Sequence, residues 1–497
     1  MSRATISTGS VPFETKTDAK RPSPLASDNN NCHIVILADF SGRDHRNLND
    51  VATLKQRKVI EVDRDNFDDV FAQLNVQCDL PLAEEPMVFS ELDDMHPDFI
   101  YEHVPLFNKF KQLKKKLKNS STFSAAVAEI KQWGDVETAA TTEQTSKPQE
   151  INIPSGSLLD DILSGESSSQ ASEGFDVQAL VKDIVSPYIT AKPNPDLKDY
   201  IQTVDDASSS LMRKLMHHRQ FQTIESAWRS LYLLVRRVET DRKLKIFIAD
   251  VSAQELIDDA LNVDNYEQSN AYKLLVENRQ MAGSSAFNII MADAVFGQSE
   301  GGLGALSHLG EVAGSINALF ISGGSEQLAG CESLAQTPDK DDWRFSQDSA
   351  LKDKWHQLRS TPQSQHITLV APRYLSRMPY GKKTSPIDNF SFEELPKETP
   401  HPYYLWSCGA WLVTLVMAQN YSQTGDPMQM SIQEVDRLPL HVYYEDDEPK
   451  VTPCAEINML DSASVLMREA GLLTIRSILN KDSVLIPEFG SISFRNK

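Results

Sequence analysis

The sequence of 497 residues predicts an α/β (α+β) fold, with mixed sheets and flanking helices. Three observations carry this expectation. Short apolar runs of strand length alternate with longer stretches whose apolar residues recur every three or four positions. Hydrophobic residues make up 40% of the chain, enough for substantial buried cores. Two polar stretches, 1–31 and 134–174, set off globular parts at 32–133 and 175–490, with a tail at 491–497.

Residues 1–31 are rich in Ser, Thr, Asn and Pro and read as a loosely ordered N-terminal segment. NCHIVILADFSG then predicts a buried strand, Ile34 to Ala38, ending in a glycine turn, and RKVIEVD predicts a second short strand. The acidic stretch that follows, VDRDNFDDVF, invites a metal-loop reading, but it lacks the Gly and Glu that an EF-hand places at set loop positions. Phe67, Val70, Phe71 and Leu74 fall on one helical face instead. Asp63 or Asp65 suits the N-cap of that helix, and the other early acids suit its dipole.

Pro105 is placed to open a further helix with the apolar stripe Leu106, Phe110, Leu113 and Leu117. Lys109, Lys111, Lys114, Lys115, Lys116 and Lys118 cover much of the rest. This reads as a solvated face or a local partner for the acidic excess, with a nucleic-acid patch as the other reading. Residues 134–174 are dominated by Ser, Thr, Gln and Glu and predict a flexible linker. SLLDDIL interrupts it, gathering Leu158, Leu159, Ile162 and Leu163 on one side of a short helix. That island is either a docking peptide for a groove or an incidental packing segment.

In the second globular part, FQTIESAWRSLYLLVRRV places Phe221, Ile224, Trp228, Leu231, Val235 and Val238 on one face of a helix. KLKIFIADVS, SAFNIIMADAVFG, INALFISGG and SQHITLVAP read as strands, with the helix-like GALSHLGEVAGS among them.

A net charge of −21 argues against a chain made to coat phosphate backbones. No apolar run approaches the roughly 20 residues that span a bilayer, and the N-terminus has no apolar signal-peptide core, so a cytoplasmic location is expected. Cys32, Cys78, Cys331, Cys408 and Cys454 are scattered without a CxxC and read as reduced buried thiols. The Gly-rich GQSEGGLGALSHLG contains neither a P-loop nor a dinucleotide fingerprint. His217 and His218 are adjacent and diverge on a helix, and His401, Cys408 and His441 show no spacing that asks for a metal. No HExxH or GxSxG occurs. No catalytic, cofactor-binding or metal residue is therefore assigned.

Two regions resemble the two subunits of the type VI secretion contractile sheath. Residues 33–133 are similar to the small subunit, through LADFSGRD (37–44), KVIEVDRDNFDDV (58–70) and FSELDDMHPDFIYEHVPLFNKF (89–110). Residues 155–490 are similar to the large subunit, through FQTIESAWRSLYLLVRRVETDRKLKI (221–246), APRYLSRMPYG (371–381), YLWSCGAWLV (404–413) and RLPLHVYYEDDEPKVTPCAEI (437–457). The resemblance implies a sheath-protein-like fold with the small- and large-subunit-like parts packed together. It implies a structural role without cofactor: in that family the two subunits pair, stack into a tube around a secreted inner tube, and contract. An AAA+ ATPase then recycles the sheath by grasping the large subunit's N-terminal segment. SLLDDIL resembles that segment, which makes Leu158, Leu159, Ile162 and Leu163 the expected partner-binding residues. Phe67, Phe221 and Trp228 are expected core positions. Asp39, Arg43, Asp63 and Arg64 are expected to form a local ion-pair and capping network.

Three departures from the family pattern stand out. Both halves lie in one polypeptide. The extended β segment that opens the small subunit is short and polar here, with VPFETKT (11–17) as a remnant. The sequence ends at LIPEFGSISFRNK, where the large subunit continues into a C-terminal domain. Sheath protomers are joined by arms that add strands to a neighbour's sheet, so weaker self-polymerisation is expected. The leading expectation is a fusion that caps, anchors or regulates the sheath, with sheath subunits, baseplate proteins or the recycling ATPase as partners. The alternative is a true contractile sheath subunit that polymerises around the inner tube.

Overall fold

The computed structural model describes residues 31–80, 83, 85–134, 197–297, 299–344, 349–396 and 401–494. In chain order its main strands are β1 (Cys32–Ala38), β2 (Val59–Val62), β3 (Leu244–Asp250), β4 (Ile289–Phe296), β5 (Leu319–Gly324), β6 (Ile367–Ala371), β7 (Tyr374–Leu375), β8 (Trp406–Ser407), β9 (His441–Glu445), β10 (Glu448–Thr452) and β11 (Leu472–Thr474). Seven of them form one sheet, in the order β11-β6-β5-β4-β1-β3-β2. All its pairings are parallel except β2 with β3.

The two halves share this sheet. β1, from the first half, lies between β3 and β4 of the second. It pairs along its whole length with β3, Cys32 opposite Leu244 through Ala38 opposite Asp250. Its other edge pairs Ile34–Leu37 with Ile289–Ala292. A strand in the middle of a parallel sheet is buried on both faces, which is why IVILA, residues 34–38, is apolar without alternation. Cys32, Ile34, Ile36 and Ala38 enter the core on one face of the sheet; Val35 and Leu37 enter the core on the other. β2 ends the sheet as a four-residue antiparallel strand, its exposed Glu61 3.0 Å from Lys245.

Helices cover both faces. The main ones are α1 (Phe67–Gln73), α2 (Pro97–His103), α3 (Asn108–Lys118), α4 (Leu197–Met216), α5 (Arg219–Arg237), α6 (Ala253–Leu261), α7 (Glu300–Ser315) and α8 (Ala410–Thr424). α1 to α5 and α8 pack in the first core, and α6 and α7 in the second. The predicted stripes hold: Phe221, Ile224, Trp228, Leu231 and Val235 of α5 are buried, as are Leu106, Phe110, Leu113 and Leu117. The lysines of α3 find acids and carbonyls nearby. Lys114 meets Asp205 at 2.7 Å, Lys116 meets Glu129 at 3.1 Å, and Lys111 donates to the Glu102 carbonyl.

The Gly-rich run becomes α7, whose N-cap Ser299 accepts from Gly302 N–H at 3.1 Å. Gly310 serves packing, because a Cβ there would lie 2.5 Å from Ile367 Cδ1 on β6. All five cysteines are buried free thiols. No helix among the described residues is long and apolar enough to cross a membrane.

Candidate functional site

The sequence motifs of both halves converge on a seam centred on Trp228. Its first part is the turn after β1. Asp39 is buried, and its carboxylate accepts from Arg43 N–H at 2.6 Å and Asp44 N–H at 2.9 Å, closing DFSGR on itself. Gly42 sits at φ +79, and a Cβ there would fall 2.1 Å from the Gln77 carbonyl oxygen, so the turn requires glycine. Asp250, at the end of β3, accepts from Phe40 N–H, Ser41 N–H and Ser41 Oγ–H at 3.0, 3.1 and 2.7 Å. Arg43 reaches Asp250 at 3.5 Å and Glu255 at 3.7 Å, while Arg57 meets Glu255 at 2.5 Å. Burial is the main cause that raises Asp39 to about 6; the charge of Asp250 adds to it, and the two N–H donors oppose it.

Trp228 itself is fully buried. Its indole N–H donates to the Phe40 carbonyl at 2.8 Å, across 188 residues of chain. Its ring lies 5.1 Å from Phe40, 5.6 Å from Phe67 and 4.3 Å from Phe71, centre to centre. One aromatic of the second half thus joins the DFSGR turn and α1 of the first. Aromatic contacts of this kind add about 0.5–1.5 kcal/mol each beyond burial.

The third part is a buried ion cluster. Arg377 donates from Nε to Glu225 at 2.7 Å, and from Nη1 and Nη2 to Glu394 at 2.7 and 2.8 Å. Arg229, one turn from Glu225, meets it at 2.7 Å and reaches the Tyr380 hydroxyl at 3.1 Å. His217 lies 3.5 Å from Glu394, and Tyr380 N–H donates to the same carboxylate. Burial alone would raise Glu394, but Arg377 and His217 outweigh it and hold the carboxyl at about 2. Glu225 is lowered in the same way, by Arg377 and Arg229. The first half closes over this cluster. His96 packs edge-on against Tyr380 at 5.0 Å, Tyr101 against Phe390 at 4.7 Å, and Asp98 accepts from Asp388 and Asn389 N–H.

Phe67, Phe221 and Trp228 are core residues as expected, 3%, 1% and 0% exposed. Asp39 binds the backbone of its own turn, as a local network would, but the ion pairs of Arg43 are not local, since Asp250 and Glu255 lie in the other half. The capping expectation for α1 needs correction. Asp63 accepts from Asp65 and Asn66 N–H at 2.8 and 3.0 Å, closing the turn before the helix, while the N-cap residue Asn66 makes no side-chain cap bond. Asp65 and Arg64 are largely exposed and 3.8 Å apart. Leu158, Leu159, Ile162 and Leu163 lie outside the described residues.

Sequence reasoning missed Glu225, Arg377, Glu394, Asp250 and Glu255. A charged residue inside an apolar stripe, as Glu225 is in α5, was the available signal. His401 pairs with Glu456 at 3.1 Å, and His441 contacts the Tyr404 hydroxyl at 2.8 Å. No metal-holding group of three or more His, Cys, Asp or Glu occurs among the described residues.

Comparison with known proteins accounts for this convergence. Residues 198–493 match the VipB family, described as EvpB/VC_A0108, tail sheath N-terminal domain. Residues 31–132 match the family described as type VI secretion system, VipA, VC_A0107 or Hcp2. The chain is 28% identical over 294 residues to the type VI secretion system sheath protein TssC1 of Pseudomonas aeruginosa, an alignment covering 58% of this chain and 59% of that relative. The chain thus spans about three fifths of the length of the curated relative it matches. A VipA-type small-subunit region and a VipB-type large-subunit region are fused in one polypeptide around a common sheet, and the chain belongs to the type VI secretion tail-sheath family.

Proposed function

We propose that this chain is a structural component of a type VI secretion contractile apparatus, a pre-joined sheath body that caps, anchors or regulates the sheath rather than forming long tubes by itself. The observation that carries this reading is the shared sheet. β1 and β2 of the small-subunit region find their strand partner in the same chain, and the sheet ends in short strands, β2 of four residues and β11 of three. Short edges with a charged residue such as Glu61 discourage indefinite edge-to-edge addition. The role is one of assembly, and no reaction is assigned to it. Its partners in this reading are other sheath subunits or baseplate proteins.

Electron microscopy of the concentrated purified chain tests the reading. Discrete particles are expected; long tubes from the chain alone would establish a second reading, a contractile subunit that polymerises around an inner tube. That second reading is favoured by the likeness to the sheath protein TssC1 over 294 residues. The proposed contact with a recycling AAA+ ATPase rests on the amphipathic pattern of Leu158, Leu159, Ile162 and Leu163. Leu158→Asp with Ile162→Asp should abolish binding to that ATPase in a pull-down, and unchanged affinity would sink this part of the proposal.

A further inference from the structure

β9 and β10 form a two-stranded hairpin whose turn residues, Asp446 and Asp447, take left-handed φ values of 50 and 63. The register sets Val442 opposite Val451 and Tyr444 opposite Pro449, so these four side chains share one face. His441, Tyr443, Lys450 and Thr452 share the other. It is the polar face that meets the body. His441 is buried with Nδ1 2.8 Å from the Tyr404 hydroxyl, which also accepts from Thr452 Oγ1–H at 2.9 Å, and Tyr443 stacks on His441.

The apolar face points outward, with Val442, Tyr444 and Val451 46%, 65% and 40% exposed, and the exposed Lys383 lies against it, its Nζ 5.6 Å from the centre of the Tyr444 ring. Among the described residues no third strand extends the pair. A hairpin of this kind is marginal alone in water, and an exposed apolar face bordered by charge marks a contact surface. The border is acidic at the tip, where Glu445, Asp446, Asp447 and Glu448 run consecutively and are all exposed.

We propose that this face docks a partner protein whose contact surface is an apolar strip bordered by lysines or arginines. Charge selects this occupant. A second copy would bring the same four carboxylates and a net −21 to the contact, and the segment around Leu158–Leu163 would bring Asp160 and Asp161. A basic apolar surface gains burial from Val442, Tyr444 and Val451 and charge complementarity from the tip. The inference goes beyond the assembly reading and does not depend on tube formation, so the two fail separately.

The test uses the full chain, with a short labelled peptide alternating leucine and lysine as the probe. Leucine–glutamate and glutamine–lysine peptides are the controls, and anisotropy is read at low and high salt. The leucine–lysine peptide is expected to bind in preference to both controls. Val442→Ser/Tyr444→Ser/Val451→Ser should lower its affinity about tenfold or more. Glu445→Gln/Asp446→Asn/Asp447→Asn/Glu448→Gln should weaken it and flatten its salt dependence. All of these side chains are exposed, so both variants should keep the parent Tm; should the first fail to fold, the second decides alone. Equal binding by both variants, or equal binding of the leucine–glutamate peptide, would overturn the proposal. So would a concentration-dependent dimer in sedimentation that Tyr444→Ser abolishes, which would give the face to a second copy.

Discussion

Two clusters of charged groups hold the seam, and Asp39 in one and Glu394 in the other shift in opposite directions although burial acts on both alike. Asp39 sits beside the carboxylate of Asp250 and receives only backbone N–H groups; burial raises it to about 6. Glu394 is at least as deeply buried, yet Arg377 and His217 lie against it and it falls to about 2. Desolvation acts in the same sense on both. What separates them is whether a guanidinium forms part of the contact. The first cluster is a turn in which burial raises Asp250 as well as Asp39, although Arg43 and Arg57 oppose it at Asp250. The second is a charge-balanced plug, in which each carboxylate is met by an arginine.

The largest way to break this comparison is to remove Trp228, which joins the two halves at the seam. Trp228→Ala should cost about 4–5 kcal/mol in urea unfolding, because it leaves a cavity between Phe40, Phe67 and Phe71 and deprives the Phe40 carbonyl of its donor. Next is Arg377→Met, which leaves Glu225 with Arg229 alone and Glu394 with His217 and the Tyr380 N–H, and should cost about 3 kcal/mol. Adding Glu225→Gln and Glu394→Gln should recover part of that loss; no recovery would mean that shape, not charge, holds the plug.

The smallest and most specific effect is on pH. Asp39, held up, stabilises the fold below its ordinary value of 3.8, and that contribution fades as pH rises through about 6. Glu394, held down, contributes fully above its ordinary 4.5, and the contribution is lost as pH falls through about 2. Asp39→Asn should therefore remove a gain of about 2 kcal/mol that the parent chain makes between pH 7 and 4, while leaving the loss at lower pH in place. A parent profile flat over that range, with no difference from the variant, would contradict the assignment.

Much of the architecture was legible as pattern. The alternation of IVILA-type runs with stripes such as Phe221–Ile224–Trp228–Leu231 gives strands and helices in the right places, because burial on both faces of a strand leaves a continuous apolar run and burial of one helical face imposes a period of 3.6. The motif DFSGR signals a tight turn, and Gly42 shows why. The long-range pairing was not legible in the same way. Glu225 meets Arg377 across 152 positions, and Phe40 meets Trp228 across 188. No local period links residues so far apart; only the topology, with β1 inserted between β3 and β4, brings them together. The α1 cap failed as an expectation for a smaller reason: Asp63 satisfies the turn that enters the helix, one step earlier than the pattern of acids suggested.

The sequence by itself determined the elements and the apolar positions that fill the two cores, since each follows from chain-local chemistry, and its motifs carried the resemblance to two sheath-type halves. Tertiary structure alone decided which charges are neutralised, and which face of the hairpin turns outward. In HVYYEDDEPKVT the alternation defines two faces but not their orientation. Tyr404, more than 30 residues upstream, fixes that by binding His441 and Thr452, and it leaves Val442, Tyr444 and Val451 on the outward face.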